Sequence, residues 1–308
     1  MEPIQTALKK WMRESKNFQE HYQNMRQAIL HDEDIQKVLQ QNSQLTDQDV
    51  ERHLMKFYEY QSQSKSCEGC PSLDECQNLV PGYSPSLHVT EKDVRLTYEM
   101  CPTKRQYQEQ SEKRSFISSL YMPKDILEAR FKDLDPDDRY EAIRLAVNYT
   151  ENVETEKAQK GLYFHGRFGV GKTHILGAIA NKLANKRISS YMIYMPELVR
   201  EMKSSLQDNS LNEKIEKFKT AQVLMLDDIG AESMSSWFRD EVLGSILQYR
   251  MMERLPVFFT SNYSLEDLEK HLMTNNRGEI EQLKAGRIIE RIKACSTPVE
   301  VIGQNRRQ

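Results

Sequence analysis

The sequence lacks any apolar run that approaches the roughly 20 residues needed to span a bilayer. Its first 15 residues, MEPIQTALKKWMRES, lack the apolar core of a signal peptide, and no internal repeat or low-complexity tract follows. These absences exclude membrane insertion and predict a cytoplasmic protein. The 308 residues leave room for two domains, because a single core rarely grows past about 250 to 300 residues.

The sequence also has little net charge. Its 43 Lys and Arg residues nearly balance 46 Asp and Glu residues, which gives a formal net charge of −3. This balance excludes a global basic field that would draw the chain to nucleic acid or to a membrane surface. Any contact with DNA must therefore be local.

Cysteine is scarce, with five residues, and four of them cluster: Cys67, Cys70, Cys76 and Cys101. In a cytoplasmic protein, reduced thiols favour metal binding or plain burial over disulfides. The cluster lies in a small polar region where a metal would substitute for a missing core, so we expect a four-cysteine zinc site. His88 is an alternative ligand, and a set of unlinked thiols is the other interpretation. Cys295 stands apart and is expected to be buried.

One motif dominates the second half of the chain. The stretch GLYFHGRFGVGKT, residues 161–173, is an apolar strand that runs into a glycine-rich loop matching all eight positions of G-x-x-x-x-G-K-T. Such a loop turns successive backbone N–H groups inward as an anion nest, and the helix predicted to begin near Lys172 adds the positive end of its dipole. We therefore expect this loop to bind ATP or GTP.

Within this motif the predicted nucleotide-binding residues are Gly166, Gly169, Val170, Gly171, Lys172 and Thr173. Lys172 is placed to reach the β and γ phosphates, and the Thr173 hydroxyl is placed to ligate Mg²⁺. A glycine turn that joins a strand to a helix and binds nothing is the alternative.

A second apolar strand, VLMLDD at 223–228, ends in two carboxylates. Open parallel sheets bind ligands at the C-terminal ends of their strands. We assign Asp227 to Mg²⁺, and Asp228 to activating or positioning the water that attacks the γ-phosphate. A plain solvated strand end is the alternative.

A third strand, predicted over 257–260, leads to Asn262. The amide of Asn262 is expected to bond the γ-phosphate or the attacking water. The alternative is that Asn262 only begins the turn before a helix capped by Ser264, whose S-x-x-D pattern with Asp267 is typical of a capping box.

The order of these patterns predicts the domains. Residues 1–106 are expected to form a mainly helical, zinc-binding domain, residues 107–135 a linker, and residues 136–308 the nucleotide-binding domain. In the last of these, strand and helix patterns alternate, which predicts an α/β fold with a parallel sheet and flanking helices. The predicted strands are 161–164, 190–195, 223–226 and 257–260, and the predicted helices are 137–153, 172–186, 197–206 and 237–254.

After Asn262 the chain becomes arginine-rich, with Arg277, Arg287, Arg291, Arg306 and Arg307. An arginine aimed at the γ-phosphate of a neighbouring subunit stabilises transition-state charge and makes hydrolysis depend on assembly. Head-to-tail contacts of this kind generate rings or open helical filaments. For each arginine, an ordinary surface charge is the alternative.

With the order of motifs in place, the C-terminal half resembles the AAA+ ATPases: GRFGVGKT resembles Walker A, VLMLDD Walker B and TSN sensor 1. Most AAA+ proteins have Asp-Glu in Walker B, whereas Asp-Asp followed by IGAE resembles the branch of helicase loaders and transposition helpers. The resemblance implies Asp227 and Asp228 as the Walker B pair and Asn262 as sensor 1. It also suggests Arg291, in RIIERI, as the arginine finger and Arg306, in NRR, as sensor 2.

Together with the cysteine-rich front region, the whole chain resembles the DnaI family of bacterial replicative helicase loaders. The segments YMPELVREMKSSL, LDDIGAES and SWFRDEV carry this resemblance. It implies that the N-terminal domain binds the hexameric replicative helicase and that ATP controls its placement on single-stranded DNA. Some relatives carry a His shortly after a Gly-Tyr pair, where this chain has Ser84, so the four-cysteine site is preferred and His88 is kept as the substitute.

Two other functions fit the motifs. A transposase helper shares the ATPase motifs but needs no metal-bearing front domain, and a nucleotide-gated adaptor would hydrolyse ATP only incidentally. DNA contacts of a loader should be phosphate-directed and indifferent to sequence. The candidates are Lys203, Lys214, Lys217 and Lys219, and a solvated helix face is the alternative for this row.

Overall fold

The computed structural model describes residues 16–67, 70, 72–91, 93–153, 159–206, 210–232, 235–274 and 280–306. The chain divides into two compact units, Met1–Gln110 and Ser111–Gln308. Each unit has its own buried apolar residues. No helix within the described ranges is long and apolar enough to cross a membrane.

The first unit combines short helices with one hairpin. Its helices are α1 (Lys16–Leu30), α2 (Glu33–Gln41), α3 (Asp47–Arg52) and α4 (Leu54–Gln61), and its antiparallel strands are β1 (Tyr83–Thr90) and β2 (Asp93–Met100). Thr46 caps α3 through a capping box, in which its side chain accepts from the backbone N–H of Asp49 and the Asp49 carboxylate accepts from the backbone N–H of Thr46. A small core that includes Ile29, Phe57 and Val94 joins helices and hairpin.

Helix α5 (Pro102–Ser115) follows and spans the point at which the two units divide. The second unit contains a six-stranded parallel sheet in the order β3-β5-β6-β7-β4-β8. Its strands are β3 (Ile117–Leu120), β4 (Gly161–His165), β5 (Ser190–Tyr194), β6 (Val223–Asp227), β7 (Val257–Ser261) and β8 (Ser296–Glu300).

Helices cover both faces of this sheet. They are α6 (Lys124–Glu128), α7 (Tyr140–Asn152), α8 (Lys172–Asn185), α9 (Met195–Ser205), α10 (Leu211–Thr220), α11 (Gly244–Met252), α12 (Leu265–Met273) and α13 (Gln282–Cys295), with a π-helix at Phe238–Leu243 just before α11. Successive residues of β6 alternate between two separate buried clusters: Leu224 and Leu226 belong to one, Val223 and Met225 to the other. Because side chains alternate across a strand, the two clusters lie on opposite faces.

The predicted parallel sheet is confirmed, and its four central strands lie within one residue of their predicted ends. The two edge strands, β3 and β8, were not predicted. The structure also differs from the predicted linker at 107–135, because β3 pairs with β5 and the residues after it lie within the second unit. The predicted cap of α12 is present, since the Asp267 backbone N–H donates to the Ser264 hydroxyl at 3.2 Å.

Arg250 is the largest fully buried side chain of the second unit. Its guanidinium donates to five main-chain carbonyl groups, those of Phe218, Lys219, Ala221, Gln222 and Pro256. Two of these carbonyls belong to the last turn of α10, where the helix dipole is negative and backbone acceptors need partners. Arg250 thus joins the end of α10 to the starts of β6 and β7, although burial lowers its pKa to about 10.

We expect Arg250→Met to lower the free energy of unfolding by about 3 to 5 kcal/mol, because buried carbonyl groups lose charged donors. Urea denaturation followed by circular dichroism measures this change. Arg200→Met is the matched control, since Arg200 is mostly exposed on α9 and pairs with Glu197 at the surface. Equal stabilities of the two variants would contradict this role.

Candidate functional site

The glycine-rich loop joins the end of β4 to the start of α8. Gly169 and Gly171 have φ values of 77° and 90°, a left-handed conformation that side chains disfavour. Space is short as well, because a Cβ atom on Gly169 would lie 1.9 Å from the Asn305 side chain. Both the backbone conformation and the residues packed around the loop therefore require glycine at these positions.

Lys172 is buried within this loop. Its Nζ donates to the carbonyl oxygens of Gly166 and Arg167, both at 2.9 Å, and to Oδ1 of Asn262 at 2.8 Å. The amide Nδ2 of Asn262 donates in turn to Oδ1 of Asp228 at 3.0 Å. The three strand-end motifs predicted from the sequence thus meet through one chain of hydrogen bonds, Lys172–Asn262–Asp228.

Asp227 is 4% exposed at the end of β6. The hydroxyl of Thr260 donates to its Oδ1 at 2.6 Å. Burial raises the pKa of Asp227 to about 6, and hydrogen bonds from Thr260 and Thr173 oppose that rise. Thr173 and Asp227 are therefore neighbouring oxygen ligands of the kind that Mg²⁺ takes alongside phosphate oxygens.

Asp228 lies in a tight turn directly after β6. Its φ is 60°, and its backbone N–H donates to the Thr260 hydroxyl at 2.8 Å. Thr260 therefore contacts both acids, once as donor and once as acceptor. Sequence reasoning passed over Thr260, although it is the first residue of the TSN motif.

These groups line a cleft of about 660 Å³. The cleft also includes residues that no sequence motif indicated: Tyr121, Asp125, Asp135, Arg139, His174 and Tyr194. Several of them come from the segment 121–139, which was assigned to the linker and to the beginning of the next helix. The segment therefore forms one wall of the site.

Arg306 lies in this cleft and Arg291 does not line it. Arg306 donates from Nη1 to Oδ2 of Asp135 at 2.6 Å, and from its backbone N–H to the carbonyl of Gly169 at 2.9 Å. Arg291 lies on α13, where its Nη1 donates to the carbonyl of Gly244 at 3.0 Å. Arg277 and Arg307 lie outside the described residues, and Arg287 is exposed on α13.

Glu232 is a buried acid beyond the turn that carries Asp228. It is 5% exposed, its Oε2 accepts from the backbone N–H of Gly230 at 2.9 Å, and its Oε1 has no hydrogen-bond partner among the described residues. Burial raises the pKa of Glu232 to about 7, backbone N–H groups oppose the rise, and the charge of Asp228 adds to it. The sequence indicated this residue only as part of IGAE.

The predicted zinc ligands lie at the base of the hairpin in the first unit. Backbone N–H groups of Gly82 and Lys104 donate to the Sγ atoms of Cys76 and Cys101, at 3.3 and 3.4 Å. In the described part of the chain, however, no three His, Cys, Asp or Glu side chains are grouped closely enough to hold an ion.

Cys67 lies beside this group. A hydrogen bond with Ser84, 3.7 Å away, lowers its pKa, but burial and the neighbouring thiols of Cys101 and Cys70 raise it, so that it lies above its ordinary value. Ser84 thus lies beside a cysteine, whereas His88 lies four residues further along β1 with its Nε2 4.0 Å from Glu99. Of these two positions, the structure brings only 84 to the cysteines. Cys295 is buried in the second unit, as expected.

Comparisons with known proteins cover both units. A family model described as the N-terminus of primosomal protein DnaI matches residues 1–98, and a model of the bacterial DnaA ATPase domain matches residues 140–279. The replicative helicase loader DnaI of Bacillus subtilis strain 168 is 43% identical over 310 residues, which cover 100% of this chain and 99% of that protein.

Two solved structures also resemble the chain. A crystal structure of DnaI has a TM-score of 0.57 and 48% identity, covering 64% of this chain and 100% of that one. A putative primosome component from Streptococcus pyogenes serotype M3 has a TM-score of 0.54 and 34% identity, covering 64% and 99%. With the sheet described above, these likenesses and the ATPase-domain match confirm the predicted AAA+ fold.

We expect Glu232→Gln to stabilise the protein above neutral pH. An acid whose pKa is higher in the folded state makes the folded protein lose stability as pH rises from about 4.5 to about 7. The Gln variant escapes this loss and should be more stable by up to about 3 kcal/mol at pH 8, with a smaller difference at pH 5.5. Urea denaturation at both pH values measures this, with exposed Glu253→Gln as the control. A difference independent of pH would contradict it.

Proposed function

The chain belongs to the DnaI family of replicative helicase loaders, and we propose that it uses ATP to load a hexameric replicative DNA helicase onto single-stranded DNA in the cytoplasm. The observation that carries this proposal is the 43% identity with a replicative helicase loader across essentially the whole of both chains. A likeness confined to the ATPase unit would support only nucleotide binding. The likeness extends to the first unit, which matches the DnaI N-terminus and is therefore proposed as the helicase-binding part.

Nucleotide binding is proposed for the cleft around the glycine-rich loop. Lys172 already bonds three neutral oxygens there, and phosphate oxygens would be stronger acceptors for its charge. Moving Lys172 onto a triphosphate would release Asn262, whose amide also holds Asp228. Asn262 can thus report the presence of the γ-phosphate to the acid that activates water. Thr173 and Asp227 would hold Mg²⁺, which neutralises charge on the phosphates when bound.

Hydrolysis is proposed to be slow and switch-like. Asp228 has a shorter side chain than the Glu usual at this position, and in the described structure its carboxylate is held by Asn262. A water between Asp228 and the γ-phosphate would have to be positioned by the side chains of Asp228 and Asn262 together. Release of Asn262 from Lys172 is therefore a precondition of the reaction.

Self-association is proposed through the face that carries Arg291. This arginine is held against Gly244 by a carbonyl group, away from its own cleft, as a residue acting on a neighbouring subunit would be. Arg306 is instead placed in its own cleft beside Asp135, consistent with a sensor that contacts the bound nucleotide of the same chain. Such a head-to-tail arrangement would give a ring or an open helical assembly.

The predicted DNA-binding lysines receive little support. Lys214, Lys217 and Lys219 each form an ion pair with a glutamate: Glu201, Glu213 and Glu216, respectively. These pairs reduce the positive field that a phosphate backbone would meet. We still propose single-stranded DNA as a partner, but we do not assign its binding to these lysines.

Zinc binding is proposed for the four cysteines. Burial and the neighbouring thiols raise the pKa of Cys67 despite its hydrogen bond with Ser84, and a divalent cation would relieve the repulsion between the thiolates. Two cysteine sulfurs already accept backbone N–H groups, which helps to orient them. The cysteine sulfurs would have to come closer together to complete the site. Zinc would act structurally there, since four cysteines leave no position for a substrate.

Experiment can distinguish the loader from two other functions, a transposase helper and a nucleotide-gated adaptor. The match of residues 1–98 to the DnaI N-terminus favours the loader over a transposase helper. A nucleotide-gated adaptor would need binding without hydrolysis. If Asp228→Asn abolishes hydrolysis while helicase loading continues unchanged, the adaptor is the better description.

We expect Lys172→Ala to weaken ATP binding by about 100-fold, because the charged donor to the phosphates is removed. Calorimetry measures the affinity, and light scattering measures the mass of the complex with the replicative helicase of the same organism, with and without ATP. Lys186→Ala, at the exposed end of α8, is the control. Absence of a complex in every nucleotide state would refute the loader, and unchanged ATP binding would refute the nucleotide site.

We expect the purified chain to contain about one zinc per molecule, detected by mass spectrometry of the metal content. Cys70→Ser should lose most of this zinc, because three remaining cysteines bind it more weakly. Cys295→Ser and His88→Ala should both retain it, since one is buried in the second unit and the other lies away from the cysteines. Loss of zinc in His88→Ala would instead make His88 a ligand.

A further inference from the structure

Arg139 contacts the outside of the glycine-rich loop. It is 5% exposed and directly precedes α7. Its Nη1 donates to the carbonyl of Val170 at 2.9 Å, and its Nε donates to the carbonyl of Asp135 at 2.7 Å. A Cβ atom on Gly171 would lie only 2.1 Å from Nη1, so the guanidinium occupies the space beside that glycine.

The carbonyl that Arg139 binds determines where the next N–H group points. A trans peptide is planar, and its C=O and N–H bonds point in opposite directions. Because the Val170 carbonyl points at Arg139, the Gly171 N–H points away from the guanidinium. The backbone N–H of Arg306 holds the Gly169 carbonyl at 2.9 Å and so directs the Val170 N–H in the same manner. Two successive N–H groups of the loop are thus oriented from outside it.

Successive N–H groups with a common direction form an anion nest, and a loop without external bonds would have to order them at the moment of binding. Gly171 has a positive φ and no side chain of its own to hold this peptide. The charged hydrogen bond from Arg139 supplies that restraint. The guanidinium also adds positive charge beside the loop without being a member of the motif.

We propose that Arg139 is a positioning residue for nucleotide phosphates, which orients the Val170–Gly171 peptide so that its N–H group is ready to bind them. This inference rests on the proposed nucleotide binding and adds a residue that lies outside the Walker motifs. Asp135 holds Arg139 through its main chain and Arg306 through its carboxylate. The two external supports of the loop are therefore joined at one residue.

The test compares affinities for ATP, ADP and adenosine in the full chain by calorimetry or competition. Arg139→Gln should raise the Kd for ATP and ADP about tenfold, while the Kd for adenosine, which has no phosphate, changes less than about twofold. Arg139→Lys should show a smaller loss, about threefold, because its ammonium nitrogen can still reach the Val170 carbonyl but the side chain has no second nitrogen to hold the Asp135 carbonyl as well. If the Gln variant does not fold, the phosphate-selective loss in the Lys variant decides.

Arg144→Gln is the matched control, because Arg144 lies on α7, is half-exposed and pairs with Glu141. Its affinities should equal those of the wild type. Equal losses for all three ligands in the Arg139 variants would show a merely structural role and overturn the inference, as would unchanged affinities. If the wild type itself does not bind ATP, the proposed nucleotide site fails, which is a distinguishable result.

Discussion

The buried ammonium group of Lys172 is the charge around which the site is organised. It is 7% exposed and has lost most of its contact with water, so the loop carbonyls and Asn262 must compensate for that loss. The two carbonyls belong to the loop after β4 and Asn262 follows β7, and these parallel strands end at the same edge of the sheet. The glycine-rich loop, the Walker B turn and the sensor amide can therefore not move independently of one another.

Much of the fold could be predicted because its central strands are buried on both faces. Apolar runs such as LYF and VLML have this character, and β6 and β7 are buried along their whole length. The edge strands lack it: β3 reads ISSL and is half-exposed, and β8 has two exposed residues in its middle. A short polar segment becomes a strand only because a partner lies beside it, and that partner is far away in sequence.

Some residues of the candidate site could likewise be predicted from the sequence and others could not. Lys172, Asp228 and Asn262 were predictable because each lies at a fixed distance from a strand end. Arg139 and Asp135 belong to no motif, and their position depends on the path of the chain between β3 and α7. In the first unit, Ser84 contacts Cys67 while His88 contacts Glu99 instead. The alternation of side chains along β1 predicts which face of the strand each residue occupies, but it does not predict which end of the strand lies beside the cysteines.

The final described residues run alongside the glycine-rich loop: the Val301 N–H bonds the His165 carbonyl at 2.7 Å, and Arg306 bonds Gly169. A side chain on Gly166 would collide with the Val301 carbonyl at 2.3 Å, so loop and tail fit each other closely. A bulky fluorescent label attached to one of these residues would thus stand at the rim of the cleft. Reporters for this chain belong on an exposed helix remote from the loop.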